Sequence, residues 1–313
     1  MIPMIELKSE LEGIIKLEII KEDGTLKQGK ALNIPFKNLI TNIGLDYLSS
    51  GNTIGAACQY CKVGTGSTAP SVNDTSLASK VGSTSPAGTI TNSVQTSVEP
   101  YYSQHKTVYT FSIGAVVGNL TEIGFFSDSS GGTMWSRALI KDSGGNPTVL
   151  TLLATEQLKV TYTVIRYFPA SATGSFTLNT NGVNSTINYT IKPSNVYWMF
   201  KSGFCSSNTM SIYAYETNIL GGIGVQPSGA YAEASSTSNN YITGTFERSS
   251  TTVFGPSIAN YTTGIGSIVF WCVSQFGTYY TGYQCSFSPK IMKTSSQTLA
   301  IGIRLSWGRT TQQ

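Results

Sequence analysis

Between residues 158 and 168 apolar and polar side chains alternate. Leu158, Val160, Tyr162 and Val164 fall on one face, and Lys159, Thr161 and Thr163 on the other. A period of two predicts an antiparallel strand with one buried and one wet face. Strand-like runs bounded by Gly, Asn and Ser clusters recur at 107–114, 120–128 and 134–140. Further along they recur at 175–178, 185–191, 195–200, 211–215, 241–247, 266–274, 280–287 and 299–307. Near the start, Gly13–Glu22 is rich in Ile and Leu and runs into Asp23-Gly24, a hairpin turn signal. Pro35–Ser49 breaks this rhythm. There Phe36, Leu39, Ile40, Ile43 and Tyr47 recur at helical spacing and Pro35 suits a first turn, which predicts one short amphipathic helix. Gly44 weakens it by about 1 kcal/mol relative to Ala. No helix is predicted after residue 50. Val63–Thr96 is a polar passage of Gly, Ser, Thr and Pro that reads as a loop or as short edge strands.

This punctuation predicts an all-β chain of two antiparallel β-sandwich-like domains, over 1–170 and 171–313, joined at the small, breaker-rich Phe168–Gly174. The two regions end alike. Thr155-Glu-Gln-Leu-Lys-Val-Thr-Tyr-Thr-Val-Ile-Arg166 is similar to Ser296-Gln-Thr-Leu-Ala-Ile-Gly-Ile-Arg304, as if a last strand closed each of two related sandwiches.

Composition sharpens the division. Only 12% of the 313 residues are charged, which excludes a coiled coil and a charged disordered tail. Residues 171–313 hold three acidic and seven basic side chains, with 42 Ser and Thr, whereas the first region is neutral. The net charge of +4 is too small to predict a nucleic-acid partner. The longest apolar run, Ile268–Val273, is far short of the roughly 20 residues of a spanning helix, so no membrane insertion is expected. Glu6, Lys8, Glu10 and Glu12 interrupt the apolar start before a secretory h-region forms, and the expected site of synthesis is a cytosol.

The search for reactive constellations finds little. His105 is the only histidine and has no G-x-S-x-G nucleophile nearby. Cys58-Gln-Tyr-Cys61 has redox or zinc spacing but lacks a second Cys or His pair, so buried thiols are the better reading. Glu99, Glu122, Asp128, Asp142 and Glu156 are the acids from which a glycosidase pair would be drawn, and nothing in the sequence sets two of them at the required separation. Gly64-Thr-Gly66-Ser-Thr-Ala69 spells a dinucleotide-like string, but Pro70 and a polar loop follow where a phosphate-binding helix belongs. No catalytic residue, cofactor or metal ligand is therefore assigned. Aromatics remain: Tyr197, Trp198, Tyr279, Tyr280 and Tyr283 are candidates for stacking on a glycan or a partner, with cross-strand packing as the alternative.

Several blocks occur together in a telling order. Phe36-Lys-Asn-Leu-Ile-Thr-Asn-Ile-Gly-Leu-Asp-Tyr-Leu48 fits N-x-I-T-x-x-G-L-D-x-L. Lys62-Val-Gly-Thr-Gly-Ser-Thr-Ala-Pro70 with Asn73-Asp-Thr-Ser-Leu77 fits G-x-G-x-x-x-P…D-x-x-L. Thr121-Glu-Ile-Gly-Phe-Phe126, Met134-Trp-Ser-Arg-Ala-Leu139 and Thr155-Glu-Gln-Leu-Lys-Val-Thr-Tyr162 are similar to E-I-G-L-F…S-R…E-Q-L-x-V-x-Y. Over residues 13–168 the chain thus resembles virion structural proteins of tailed bacteriophages. The resemblance implies a non-enzymatic β-rich component of tail, tail fibre or baseplate. It further implies location in the virion and assembly as a homo-oligomer, a trimer or ring, with other virion proteins. A head decoration protein and a module binding host receptor or surface glycan are the alternatives. On this reading Phe36, Leu39, Ile40, Ile43 and Tyr47 are the expected assembly contacts, and residues 171–313 face outward or clasp a neighbour.

Overall fold

The computed structural model describes residues 2–310 apart from 50–51, 87–89, 96, 169–170, 196–209, 223–224, 226 and 274–279. The first strand, β1 (Met4–Ile20), is 17 residues long, about 55 Å at the usual rise, and most of its odd-numbered side chains are buried. After it come β2 (Pro35–Lys37), β3 (Leu39–Ile40), helix α1 (Asn42–Ser49), helix α2 (Ile54–Ala57), β4 (Tyr60–Gly64), β5 (Lys80–Thr84) and β6 (Thr91–Gln95). The first region continues with β7 (Tyr101–Thr110), β8 (Gly118–Leu120), β9 (Glu122–Phe126), β10 (Met134–Leu139), β11 (Leu150–Leu152) and β12 (Gln157–Phe168). The second contains β13 (Ala172–Thr180), β14 (Val183–Asn195), β15 (Met210–Tyr215), β16 (Tyr231–Ser238), β17 (Glu247–Phe254), β18 (Ile265–Val273), β19 (Tyr280–Ile291) and β20 (Leu299–Arg309).

The protein is all-β, as its alternation predicts. Among the described residues one large sheet runs β13-β14-β19-β18-β15-β16-β17-β20-β1-β12-β7-β6, with β2 added beside β1. A second sheet has the order β3-β10-β9-β4-β5, and β11 with β8 makes a small ribbon. The second sheet faces β1, β12 and β7 across a core that includes Leu11, Ile15, Val160 and Tyr162 on one side and Ile40, Val63, Phe125 and Trp135 on the other. A second core collects Ile5, Phe176, Ile187, Ile212, Phe270, Phe287 and Ile303 from strands of the large sheet alone. The sheet therefore curls over itself: Glu6 on β1 donates its N–H to the Tyr189 hydroxyl on β14, at the far end of the strand order.

The two strands with similar sequences, β12 and β20, both flank β1. Antiparallel β12 takes its C-terminal half, from Glu10↔Tyr167 to Ile20↔Gln157. β20 takes the N-terminal half, from Met4↔Gly302 to Leu11↔Arg309, in the one parallel ladder among the described residues. Ile5 and Leu7 of β1 enter the second core, and Leu11 to Ile19 the first. Trp307 of β20 crosses the other way, packing in the first core and donating its indole N–H to Leu45 O at 2.9 Å.

Three expectations change. The helix predicted over Pro35–Ser49 begins only at Asn42, because Phe36, Asn38 and Ile40 alternate inward as strand residues on β2, the intervening link and β3. A single turn of helix, α2, lies after residue 50, capped by the Thr53 hydroxyl accepting from Ala56 N–H. Tyr241–Glu247 is turn until its last residue, and the strands of that stretch are β16 and β17 on either side. Of the predicted strand 195–200, everything after Asn195 lies outside the described residues. The polar passage 63–96 resolves into β5 at the edge of the small sheet and β6 at the edge of the large one, with a long loop before β5.

Helix α1 starts where Thr41, as N-cap, accepts the Gly44 N–H on its hydroxyl at 3.0 Å. Gly44 then lies flat on β10: a Cβ there would stand 2.5 Å from Trp135 O and 2.9 Å from Trp135 Cα. Alanine would gain about 1 kcal/mol of helix propensity, but the obstruction is backbone and cannot swing away. Gly44→Ala is expected to cost a net of about 1–2 kcal/mol, read as a lower urea midpoint at unchanged slope.

Candidate functional site

The densest polar chemistry in the described residues is buried between β9, β10 and the loop before β5. Glu122 is wholly inaccessible and Arg137 is 2% exposed. Arg137 Nε donates to Glu122 Oε2 at 2.9 Å, Nη1 to Asp74 Oδ2 at 2.7 Å, and Nη2 to Thr68 O and Oγ1 at 2.9 and 3.0 Å. Glu122 also accepts backbone N–H groups of Gly66, Ala78 and Ser79 at 2.8–3.1 Å. Two neighbouring strands thus supply a carboxylate and a guanidinium that together satisfy the backbone of a loop with few apolar anchors of its own. Burial of the pair is tolerable because its hydrogen-bonding positions are filled. Below it Leu77 closes a small cluster with Phe126 and Met134, lying against Gly124.

A second polar knot lies deeper. Asn38 Nδ2 donates to the hydroxyls of Ser136 and Tyr162, and Trp135 Nε1 donates to Tyr162 OH at 2.8 Å. Tyr162 stacks on Phe125 with ring centroids 3.7 Å apart, and burial pushes its phenol far above the usual range. Thr41 Oγ1 donates to Met134 O. Helix α1 is tied to the second region through Asp46, whose Oδ1 accepts from Tyr241 OH and Gly244 N–H. Burial, then the Asp46 hydrogen bond, pushes the Tyr241 phenol up to about 12. Arg309 on β20 donates to Ile40 O and to Asn42 Oδ1, closing the same corner.

The blocks that stand far apart in the chain therefore meet in space. Asn38, Thr41, Gly44, Gly66, Asp74, Leu77, Glu122, Gly124, Ser136, Arg137 and Tyr162 form two adjoining knots that lock the small sheet, the loop and the large sheet together. Sequence reasoning missed the ties from Asp46 to Tyr241 and from Leu45 to Trp307. No local pattern signals a contact about two hundred residues away.

The other candidates are placed as follows. Phe36 and Ile40 are 6% and 0% exposed and belong to the first core, while Leu39, Ile43 and Tyr47 are half-buried, Tyr47 packing against that core. The five do not gather into one exposed face. Tyr283 is 5% exposed and packs against Phe270, so its ring is occupied by the second core. Tyr280 lies on β19, and Tyr197, Trp198 and Tyr279 lie outside the described residues. Cys58 and Cys61 are both buried, and burial pushes their thiols well above the reactive range. Among the described residues no cluster of three His, Cys, Asp or Glu side chains is placed to hold a metal ion. In the Gly64–Ala69 string, the Gly66 N–H that a phosphate would seek is bonded to the Glu122 carboxylate. His105 is 8% exposed, with Nδ1 2.8 Å from Asn92 Oδ1 and Nε2 3.1 Å from Thr107 Oγ1. Of the acids, Asp128 and Asp142 hold their own turns, Glu156 pairs with Lys27 at 2.9 Å, and Glu99 is exposed on a bend. No helix among the described residues is long and apolar enough to cross a membrane. No family model, no curated protein and no solved structure matches the chain.

Proposed function

We propose that this chain is a non-enzymatic structural protein of a tailed-bacteriophage virion, in the tail, tail fibre or baseplate, working as a homo-oligomer with other virion proteins. The observation that carries the reading is the convergence of the resembling blocks. Residues that make up N-x-I-T, G-x-G, D-x-x-L, E-I-G, S-R and E-Q-L-x-V-x-Y touch one another inside the fold. Such co-occurrence is what a shared scaffold requires, and in this framework the Glu122 and Arg137 side chains are engaged in holding the loop. The sparse charge suits the same role, since low-charge sheets bury large areas against neighbours at small desolvation cost. Mass spectrometry of gradient-purified particles is expected to find the chain at several copies per particle, with tail proteins in fixed ratio. Its absence from intact infectious particles overturns the proposal.

A second reading is favoured by one face of the large sheet. Exposed Thr173, Ser175 and Thr177 on β13 stand beside Thr186 and Asn188 on β14 and Ser288 on β19, with Ser175↔Asn188↔Ser288 in one row. An uncharged bed of hydroxyl and amide groups suits hydrogen bonding to a polysaccharide, as in a host-glycan module displayed by the particle. A head position for the same protein is the structural alternative. Thr177→Lys and Asn188→Lys should abolish retention of the full chain on host lipopolysaccharide. Retention that survives both substitutions removes this face from consideration.

A further inference from the structure

Lys293 is 5% exposed, and none of the ion pairs among the described residues includes it. An ammonium buried without a carboxylate is costly unless neutral oxygens take the place of its water. Four do. Nζ donates to Asn260 Oδ1 at 2.7 Å and to Ile258 O at 2.9 Å, and more weakly to Pro256 O and Thr294 O, both at 3.4 Å. Three of these oxygens belong to one loop, residues 255–264 between β17 and β18. The fourth belongs to the link from β19 to β20 that carries Lys293 itself. Both links join strands that are not neighbours in the sheet order, so no ladder between those strands fixes either link. The loop is shaped to aim its oxygens. Ala259 takes a φ of 56°, unfavourable for alanine, and buries its methyl in the second core, with Ile258 and Tyr261 packed against that core. Asn260 Nδ2 donates to Pro256 O at 2.6 Å, which turns Oδ1 toward the lysine.

We propose that these four oxygens form a monovalent-cation site whose resident ion is the Lys293 ammonium, and that the charge in it orders the loop over 255–264. The donor set fixes the class of ion. It contains no carboxylate, and its separations of 2.7–3.4 Å exceed the about 2.3–2.6 Å usual for calcium and the about 2.0–2.1 Å for magnesium. Uncharged carbonyl oxygens replace the hydration shell of a potassium-sized ion, and an ammonium adds N–H donors directed at them. Lys293 also lines a cavity of about 190 Å³ with Asn179, Asn181 and Gln297. Shortening its side chain therefore opens the site to solvent on that side and admits a free cation.

Chemical rescue in the full chain tests the site. Lys293→Ala should melt several degrees below the parent in sodium chloride. Ammonium or methylammonium chloride at the same ionic strength should restore most of the loss. Tetramethylammonium, which is wider and has no N–H to donate, should not. The parent, its site already filled, should melt alike in all of these salts. Lys293→Met should melt low in every one, because its side chain fills the path without supplying a charge. Asn260→Leu keeps the lysine and removes the nearest oxygen from an exposed position, so it reads the loop alone. Its amides at 258–261 should exchange about tenfold faster or more than the parent's. A Lys293→Ala protein that melts like the parent, that no cation rescues, or that tetramethylammonium rescues equally, overturns the site. Unchanged exchange in Asn260→Leu overturns it as well, whether or not Lys293→Ala folds.

Discussion

Glu122→Leu is expected to lower the stability of the chain by about 3–5 kcal/mol and to free the loop over residues 65–79. The change strips Arg137 of its inaccessible partner and leaves the N–H groups of Gly66, Ala78 and Ser79 without an acceptor. The orphaned buried donor of Gly66 costs about 1–3 kcal/mol, while the exposed residues Ala78 and Ser79 can turn to water, so the loop relaxes outward and takes part of the loss as local unfolding. Arg137→Met should cost less, because Glu122 keeps three backbone donors while Asp74 and Thr68 move toward solvent. Combining Glu122→Leu with Arg137→Met should recover only part of the loss, since an apolar pair replaces the ion pair but not the acceptor of the three amides. Urea titration of the four proteins gives the coupling energy, and hydrogen exchange at 66, 78 and 79 reports the loop. A near-neutral Glu122→Leu would mean that the loop is held by something other than this carboxylate.

The second large effect is set by pH. His105 is buried beside Gly55, and that burial lowers its imidazole from the ordinary 6.5 to about 4. The unfolded chain takes up a proton on this ring near pH 6.5, and the folded chain refuses it until about pH 4. Stability from His105 is therefore fully present above pH 6.5 and falls as pH drops toward 4, by about 3 kcal/mol at roughly 1.4 kcal/mol per pH unit. Because the chain has one histidine, its imidazole Hε1 is the one histidine Hε1 resonance to follow in a proton NMR titration. A midpoint near 4 is expected, and His105→Gln should flatten the stability profile between pH 6.5 and 4.5. A midpoint near 6.5 would place the ring in solvent.

The parts of the fold legible in the sequence are those with strict alternation. In β12 each of Leu158, Val160, Tyr162 and Val164 is buried, and the residues between them are half-exposed. Pro35–Ile40 misled for a physical reason. Phe36 and Ile40 are four apart, a spacing that fits one helix face and equally two steps of a strand. The residue that decides between them, Asn38, is polar yet buried, which only its bonds to Ser136 and Tyr162 explain. β16 was hidden because Ala and Ser dominate Tyr231–Ser238, leaving weak strand propensity that its neighbours override. The framework was half legible. Glu122, Arg137 and Asp74 stand out as charged residues in recurring blocks, but their mutual contact spans 15 to 63 residues and no local rule predicts it. Likewise, the sequence analysis assigns no strand between residues 141 and 157, and Leu150–Leu152 becomes one only because β8 gives β11 a partner.

The sharpest test of the proposed virion role is electron cryo-microscopy of intact particles from the phage proposed to encode this chain. Repeated copies of the fold are expected in the tail, fibre or baseplate density, with the framework of Glu122 and Arg137 enclosed within each copy. Complete, infectious particles with no density for the chain, or a framework opened toward a bound substrate, would contradict it.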